Sequence, residues 1–138
     1  MLGVILATRH AAPAIAKSGS GLIVNTASIA GLIEMANISI YIAANHATLG
    51  LTKALALELI LQKIRVNAVS PAASDTDMRT RFAGPEDADS RKGLAGLHSI
   101  GRVDTSAEVA AAVLFLASSK AGFIKGTNIA VDGGFTAQ

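Results

Sequence analysis

The chain contains no cysteine. That excludes disulfides and thiolate chemistry, and it suits a reducing compartment such as the cytoplasm. Charge is scarce too: charged residues make up 16%, and the net charge is only +2 despite a sequence pI of about 9.2. Aromatic residues are 4%, and no Lys/Arg cluster is paired with them, so nucleic acid is not implied as a partner. No apolar run reaches the roughly 18 residues of a membrane span. The opening "MLGVILATRHAAPAIAK" lacks a basic leader segment, and Arg9 and His10 interrupt its short apolar run, so it does not read as a signal peptide. Internal repeats and low-complexity tracts are also missing.

What is present is apolar. Hydrophobic residues are 51% of the 138, too many for a disordered tail and enough for one domain with a buried core. Leu2, Ile5, Leu6 and Ile15, with alanines between them, predict a helix over 2–17, bent or ended near Pro13. "KSGSG" is a turn. "LIVNTAS" (22–28) opens with the continuous apolar run of a strand covered on both faces. After a loop over 29–39, the longest helix is expected over 40–62, with Leu49, Leu55 and Leu59 on its apolar side. "IRVNAVS" (64–70) reads as a second strand, stopped by Pro71. Residues 72–98 read as irregular. "TSAE" is a capping box with Thr105 as N-cap and Glu108 at N3, opening a helix to about Lys120, for which Gly122 is the expected C-cap. "TNIAVDGG" (127–134) is a last strand and its exit turn. The order α-β-α-β-α-β implies a parallel sheet with crossover helices, a Rossmann-like α/β domain of about three strands in three layers.

Open α/β sheets bind ligands at the carboxyl ends of their strands. That edge should carry Asn25-Thr26-Ala27-Ser28, Ser70-Pro71-Ala72 and Asp132-Gly133-Gly134. Tyr41, at the start of the crossover helix that follows the first strand, should lie there too. A hydroxyl and a phenol converging on one cleft could polarise a carbonyl and exchange a proton with it. His10, His46 and His98 show no metal-ligand spacing and no accompanying carboxylate cluster, so they read as surface or loop residues and no metal site is expected. The charges of 77–92 are mixed in sign and read as a solvated loop.

The words "GLIVNTASIAGL", Tyr41 thirteen residues after Ser28, "LTKALALEL", "IRVNAVSP" and "GRVDTSAEVAAAVLFLASSKAGFIKGTNIAVDGG" resemble the C-terminal half of short-chain dehydrogenases/reductases, over nearly every residue from 2 to 136. The resemblance implies an NAD(P)-dependent oxidoreductase acting on a carbonyl or alcohol. Ser28 would bind the substrate oxygen, and Tyr41 would be the general acid/base. Pro71, the backbone near Ser74, and Thr76 would hold the nicotinamide. Residues 78–98 would form a mobile loop over the substrate. It also implies that the outer side of the first strand pairs with a strand not found in these residues. Such an uncovered apolar edge invites a homo-oligomer or a complementing chain.

The sequence departs from that family in ways that bear on chemistry. Asn45 stands where the family has lysine, four residues beyond Tyr41 and on the same helix face. A free tyrosine titrates near pH 10, and a nearby cation lowers such a pKa by about 1–3 units. Asn45 offers no charge. It could still hydrogen-bond a ribose hydroxyl, but as a residue it reads as solvated. His46 lies about 140° round the helix and is no substitute. The only comparable glycine cluster, Gly19-Ser20-Gly21, precedes a strand instead of following one, so it is no phosphate loop. Ala72 and Lys63 stand where the family has glycines. Binding of NAD or NADP by this chain alone is therefore in question. The expectation is an enzyme impaired in isolation, set against a catalytically silent, self-associating module. A serine hydrolase built on Ser28 lacks both a nucleophile elbow and a histidine base.

Overall fold

In a computed structural model of the chain, residues 1–74 and 88–137 are described, with backbone only for 88–91. Helix α1 (Leu2–Ala16) is followed by β1 (Gly21–Thr26), a 3-10 turn (Ile29–Gly31) and α2 (Ser39–Glu58). A second 3-10 turn (Ile60–Gln62) leads into β2 (Ile64–Pro71). Then come α3 (Ala88–Gly96), α4 (Ser106–Ala117), a turn at Ser119–Ala121 and β3 (Asn128–Val131), and Phe135–Ala137 closes the chain. The three strands form one sheet in the order β1-β2-β3, and both pairings are parallel.

The central strand is buried because both of its neighbours and the helices on both faces cover it. Ile64, Val66, Ala68 and Val69 are all at most 1% exposed. Ala12, Ala56 and Leu59 pack on Ile64 and Val66, with Ile15, Ile23 and Leu55 around them. The approach of α1 to β1 needs a glycine: a Cβ on Gly21 would sit 2.1 Å from Ile15 Cγ2. By contrast, β1 is an edge strand whose Leu22, Ile23 and Val24 are only half-buried.

Several boundaries differ from the sequence expectation. Helix α1 spans Leu2–Ala16, close to the expected 2–17, and of the two outcomes expected at Pro13 it is not an end: a proline removes one N–H without unwinding flanking turns that are packed on the sheet. The main part of α2 stops at Glu58, and the remaining turn tightens to 3-10 geometry before Lys63. Lys63 takes the left-handed conformation, at φ 58, where a glycine would be unstrained. Helix α4 begins at the expected capping box, with both reciprocal bonds formed. It ends earlier than expected, at Ser118 in extended conformation, and Gly122 follows a 3-10 turn at φ −57, so it is not a left-handed C-cap. The segment taken as irregular contains α3. The part of the expected substrate loop at 78–87 lies outside the described residues.

Candidate functional site

Because all three strands run parallel, Thr26, Pro71 and Val131 end on one edge of the sheet. Ser28 stands just beyond β1, in extended conformation (φ −159, ψ 164), as the N-cap of the 3-10 turn. Its Oγ accepts from Ala30 N–H at 3.2 Å, and the side chain is 9% exposed. Held this way by a donor, the hydroxyl keeps its own proton free to give to another acceptor. Ala27 N–H still donates to Val69 O at 2.9 Å, so β2 fixes the backbone immediately before the serine.

Tyr41 lies in the first turn of α2, half-buried, where the crossover from β1 begins its return. The turn after Ser28 and the helix that carries Tyr41 are packed hard together. A Cβ on Gly31 would lie 3.1 Å from the Asn45 carbonyl and 3.0 Å from Leu49 Cδ1. The absence of a side chain at 31 thus lets the serine turn approach α2 one helical turn from Tyr41. Ser28 and Tyr41 therefore belong to adjoining elements at the same sheet edge.

Asn45 is not the solvated residue its helix position suggested. It is 8% exposed, and its Nδ2 donates to the Tyr41 carbonyl at 2.9 Å. Burial comes from the contact with Gly31, which is distant in sequence and invisible to helix periodicity. The amide is spent on its own helix and brings no charge to the phenol. His46 is exposed, with Nδ1 donating to Ile42 O at 3.2 Å.

At the neighbouring strand, Pro71 closes β2 opposite Val131, and Ser74 forms an isolated parallel bridge with Asp104. Thr76 lies outside the described residues. Ser28, Tyr41, Asn45 and Pro71 thus stand along one edge, whereas Ser74 turns toward the β3 side of it.

Buried polar threads that sequence reasoning missed hold this edge. Asn25 Nδ2 donates to Thr52 Oγ1 at 2.9 Å, and Thr52 in turn donates to Thr48 O at 2.8 Å, tying β1 to α2 beneath the serine turn. Asn67 joins β2 to the approach of β3 through Ile124 O at 3.0 Å and Thr127 N–H at 3.1 Å. Ser70 donates to Asn128 Oδ1 at 2.8 Å. A polar residue within an apolar strand was the available signal for each, but nothing in the sequence names its partner.

Electrostatics concentrate beyond β3. Burial pushes the Asp104 carboxyl above its ordinary value, opposed by the Ser74 hydroxyl and by the charges of His98 and Arg102. Burial acts in the same sense on Asp132, but the Thr136 hydroxyl and N–H and the Gly134 N–H outweigh it and hold that carboxyl low. Glu108 is pulled down to about 2 by Arg102 and by Thr105. His98, expected in a loop or at the surface, lies in a loop but is 3% exposed, because that loop folds onto the turn after β3. Among the described residues no group of three or more His, Cys, Asp or Glu could hold a metal ion. None of the described helices is long and apolar enough to cross a membrane.

This geometry recurs in known proteins. A family model described as enoyl-(acyl carrier protein) reductase matches residues 1–136. A cyclohexanol dehydrogenase of Acinetobacter sp. (strain SE19) is 45% identical over 135 residues, which are 98% of this chain and 51% of that protein. The ligand-free aldohexose dehydrogenase of Thermoplasma acidophilum superposes with a TM-score of 0.94 at 36% identity, over 100% of this chain and 56% of that one. A gluconate 5-dehydrogenase from Burkholderia cenocepacia J2315, solved in complex with NADP and tartrate, gives a TM-score of 0.90 at 28% identity, over 99% and 52%. The chain thus spans about half the length of the proteins it matches.

Proposed function

The chain belongs to the short-chain dehydrogenase/reductase family, and from that premise we propose that it carries the substrate-and-proton half of an NAD(P)-dependent alcohol/carbonyl oxidoreductase and is impaired when isolated. The observation that supports this reading is the packing of the Ser28 turn against α2 one turn from Tyr41, on the carboxyl edge of a parallel sheet. Ser28, its Oγ already accepting from Ala30 N–H, donates to the substrate oxygen and polarises the carbonyl. Tyr41 then gives that oxygen a proton, or takes one when an alcohol is oxidised. When bound, the nicotinamide supplies or accepts the hydride.

The residues fit one end of that cofactor and not the other. Pro71 and the backbone near Ser74, at the end of β2, would hold the nicotinamide, and Thr76, outside the described residues, is assigned to the same end. Asn45, the residue that could hydrogen-bond a ribose hydroxyl, spends its amide on the Tyr41 carbonyl. Gly19-Ser20-Gly21 runs into the amino end of β1, so it sits at the opposite edge of the sheet from Ser28. It cannot place backbone N–H groups on a diphosphate beside the tyrosine. The diphosphate and adenosine have to be held by residues outside these 138, on the same polypeptide or another one. In this reading residues 1–138 form one domain, with 78–98 covering the substrate and α3 as its described part.

Titration of the 138-residue chain with NADH and with NADPH, followed by nicotinamide fluorescence, tests this. No saturable binding is expected up to about 1 mM, since an affinity weaker than that leaves only about 4 kcal/mol of binding free energy. Tight binding would overturn the claim of impairment. A second reading, a catalytically silent module that associates with like chains, is favoured by the open edge of β1 and by the uncharged Asn45.

A further inference from the structure

We propose that a cavity at the carboxyl end of β3, two strands along the sheet edge from the Ser28 turn, binds the ammonium head of a short aliphatic primary amine. The cavity measures about 260 Å³ and is lined by His98, Arg102, Asp104 and Asp132, with Ile100 and Val131 among its apolar walls. This inference is independent of the oxidoreductase reading.

Two of the lining side chains are more than nine-tenths buried and have polar atoms without a hydrogen-bond partner: His98 Nε2 and both carboxylate oxygens of Asp104. Such atoms are costly to leave unmade, and each calls for an explanation. The His98 tautomer follows from its other nitrogen. Nδ1 lies 2.8 Å from the Leu94 carbonyl, which can only accept, so Nδ1 carries the hydrogen. In the neutral ring Nε2 is then a bare acceptor. Even with the Ser74 hydroxyl turned toward Asp104, at least two of these three acceptors keep no donor, and a primary ammonium has three N–H donors.

Charge points the same way. Arg102 is bound at 3.0 and 2.6 Å by both oxygens of Glu108, so the pair neutralises itself. Asp132 already accepts from Gly134 N–H, Thr136 N–H and the Thr136 hydroxyl. It contributes negative charge without needing a further donor. Asp104 and Asp132 together leave the cavity anionic, and Ile100 and Val131 give a short alkyl chain a place to lie. A metal ion is a poor match, since no three-ligand group exists among the described residues.

The walls are also fixed before any ligand arrives. Ile100 N–H donates to Gly133 O at 3.0 Å, and Ser99 Oγ to Gly134 O at 3.1 Å. Gly133 has φ +56, and a Cβ there would lie 2.5 Å from Ile100 Cγ2, so the latch between this loop and the β3 turn requires glycine. The His98 ring meets Phe135 edge-on at a centroid distance of 5.5 Å.

The test is long-range 1H–15N NMR of the three histidine rings at pH 8, titrating with propylammonium chloride and, separately, with trimethylpropylammonium chloride. A saturable shift at His98 Nε2 is expected with propylammonium, and at least tenfold weaker binding with the trimethylated cation, which has the charge but no donors. Asp104→Asn is expected to weaken propylammonium binding by about tenfold or more, with the backbone amide spectrum confirming that it folds. If that variant does not fold, the pair of cations decides. No saturable shift at about 50 mM, well beyond a millimolar site, would overturn the proposal. So would equal affinity for the two cations, or a folded Asp104→Asn protein that binds propylammonium unchanged.

Discussion

Position 45 bears directly on the acid–base role proposed for Tyr41. A lysine there would put a cation on the face of α2 that carries Tyr41. The asparagine instead closes a 2.9 Å bond onto the Tyr41 carbonyl. The chain has one tyrosine and no tryptophan, so phenolate absorbance at 295 nm reports Tyr41 alone. Asn45→Lys is expected to move the midpoint of that titration downward by about 1 unit or more. An unmoved midpoint would mean that the two side chains do not share an environment. The sequence made the identity of this residue legible but not its burial, because the residue that covers it, Gly31, is fourteen positions away in the chain. Lys63 was the opposite case. The resemblance puts a helix-ending glycine at this position, so the lysine was expected to take positive φ against its own sterics, and φ 58 is observed. His98 gave no local sign of its burial, which arises where the 97–102 loop meets the turn after β3.

Among the elements, those with local causes were the most legible. Three parallel strands, their order along the chain and the start of α4 all follow from nearest-neighbour patterns, and the capping box needs only residues 105 and 108. Helix ends were not so legible. The choice between Ser118 and Gly122 depends on how Ala121 is buried beneath the sheet, a tertiary effect. The capping box carries its own pH signature. Glu108 has its carboxyl lowered from 4.5 to about 2 by Arg102 and Thr105. A folded pKa below the unfolded one means that the contribution is complete above about pH 4.5. It is lost as pH falls toward 2. Carboxyl NMR should place the Glu108 midpoint well below the ordinary 4.5, and Thr105→Ala should raise it while costing about 1 kcal/mol of stability. A Glu108 midpoint near the ordinary carboxylate value would show that the box is not closed in solution.

For the whole molecule, the open edge of β1 has the largest physical consequence. Its half-buried Leu22, Ile23 and Val24 sit on a strand with one side unpaired among the described residues. Exposed Leu2, Leu57, Leu61 and Phe123 add apolar surface to the helices and turns. Such a surface favours association with a like or complementing chain. Sedimentation is expected to show concentration-dependent association; a monodisperse monomer with one cooperative melt would contradict it. The fold and the sheet edge of the site were visible in the sequence because both follow from alternation and chain direction. The polar threads through Asn25, Thr52 and Asn67, and the cavity beyond β3, were not, since each joins residues brought together only by folding.

Complementation is the most direct test of the claim that Ser28 and Tyr41 form the working half of an oxidoreductase. The chain would be mixed with a polypeptide comprising the part of the Acinetobacter cyclohexanol dehydrogenase that this chain does not match, and alcohol-dependent reduction of NAD and NADP followed by absorbance. Turnover is expected only from the mixture, and Tyr41→Phe should lower it by about a hundredfold or more. A stable complex that binds cofactor yet shows no turnover, or turnover that survives Tyr41→Phe unchanged, would contradict it.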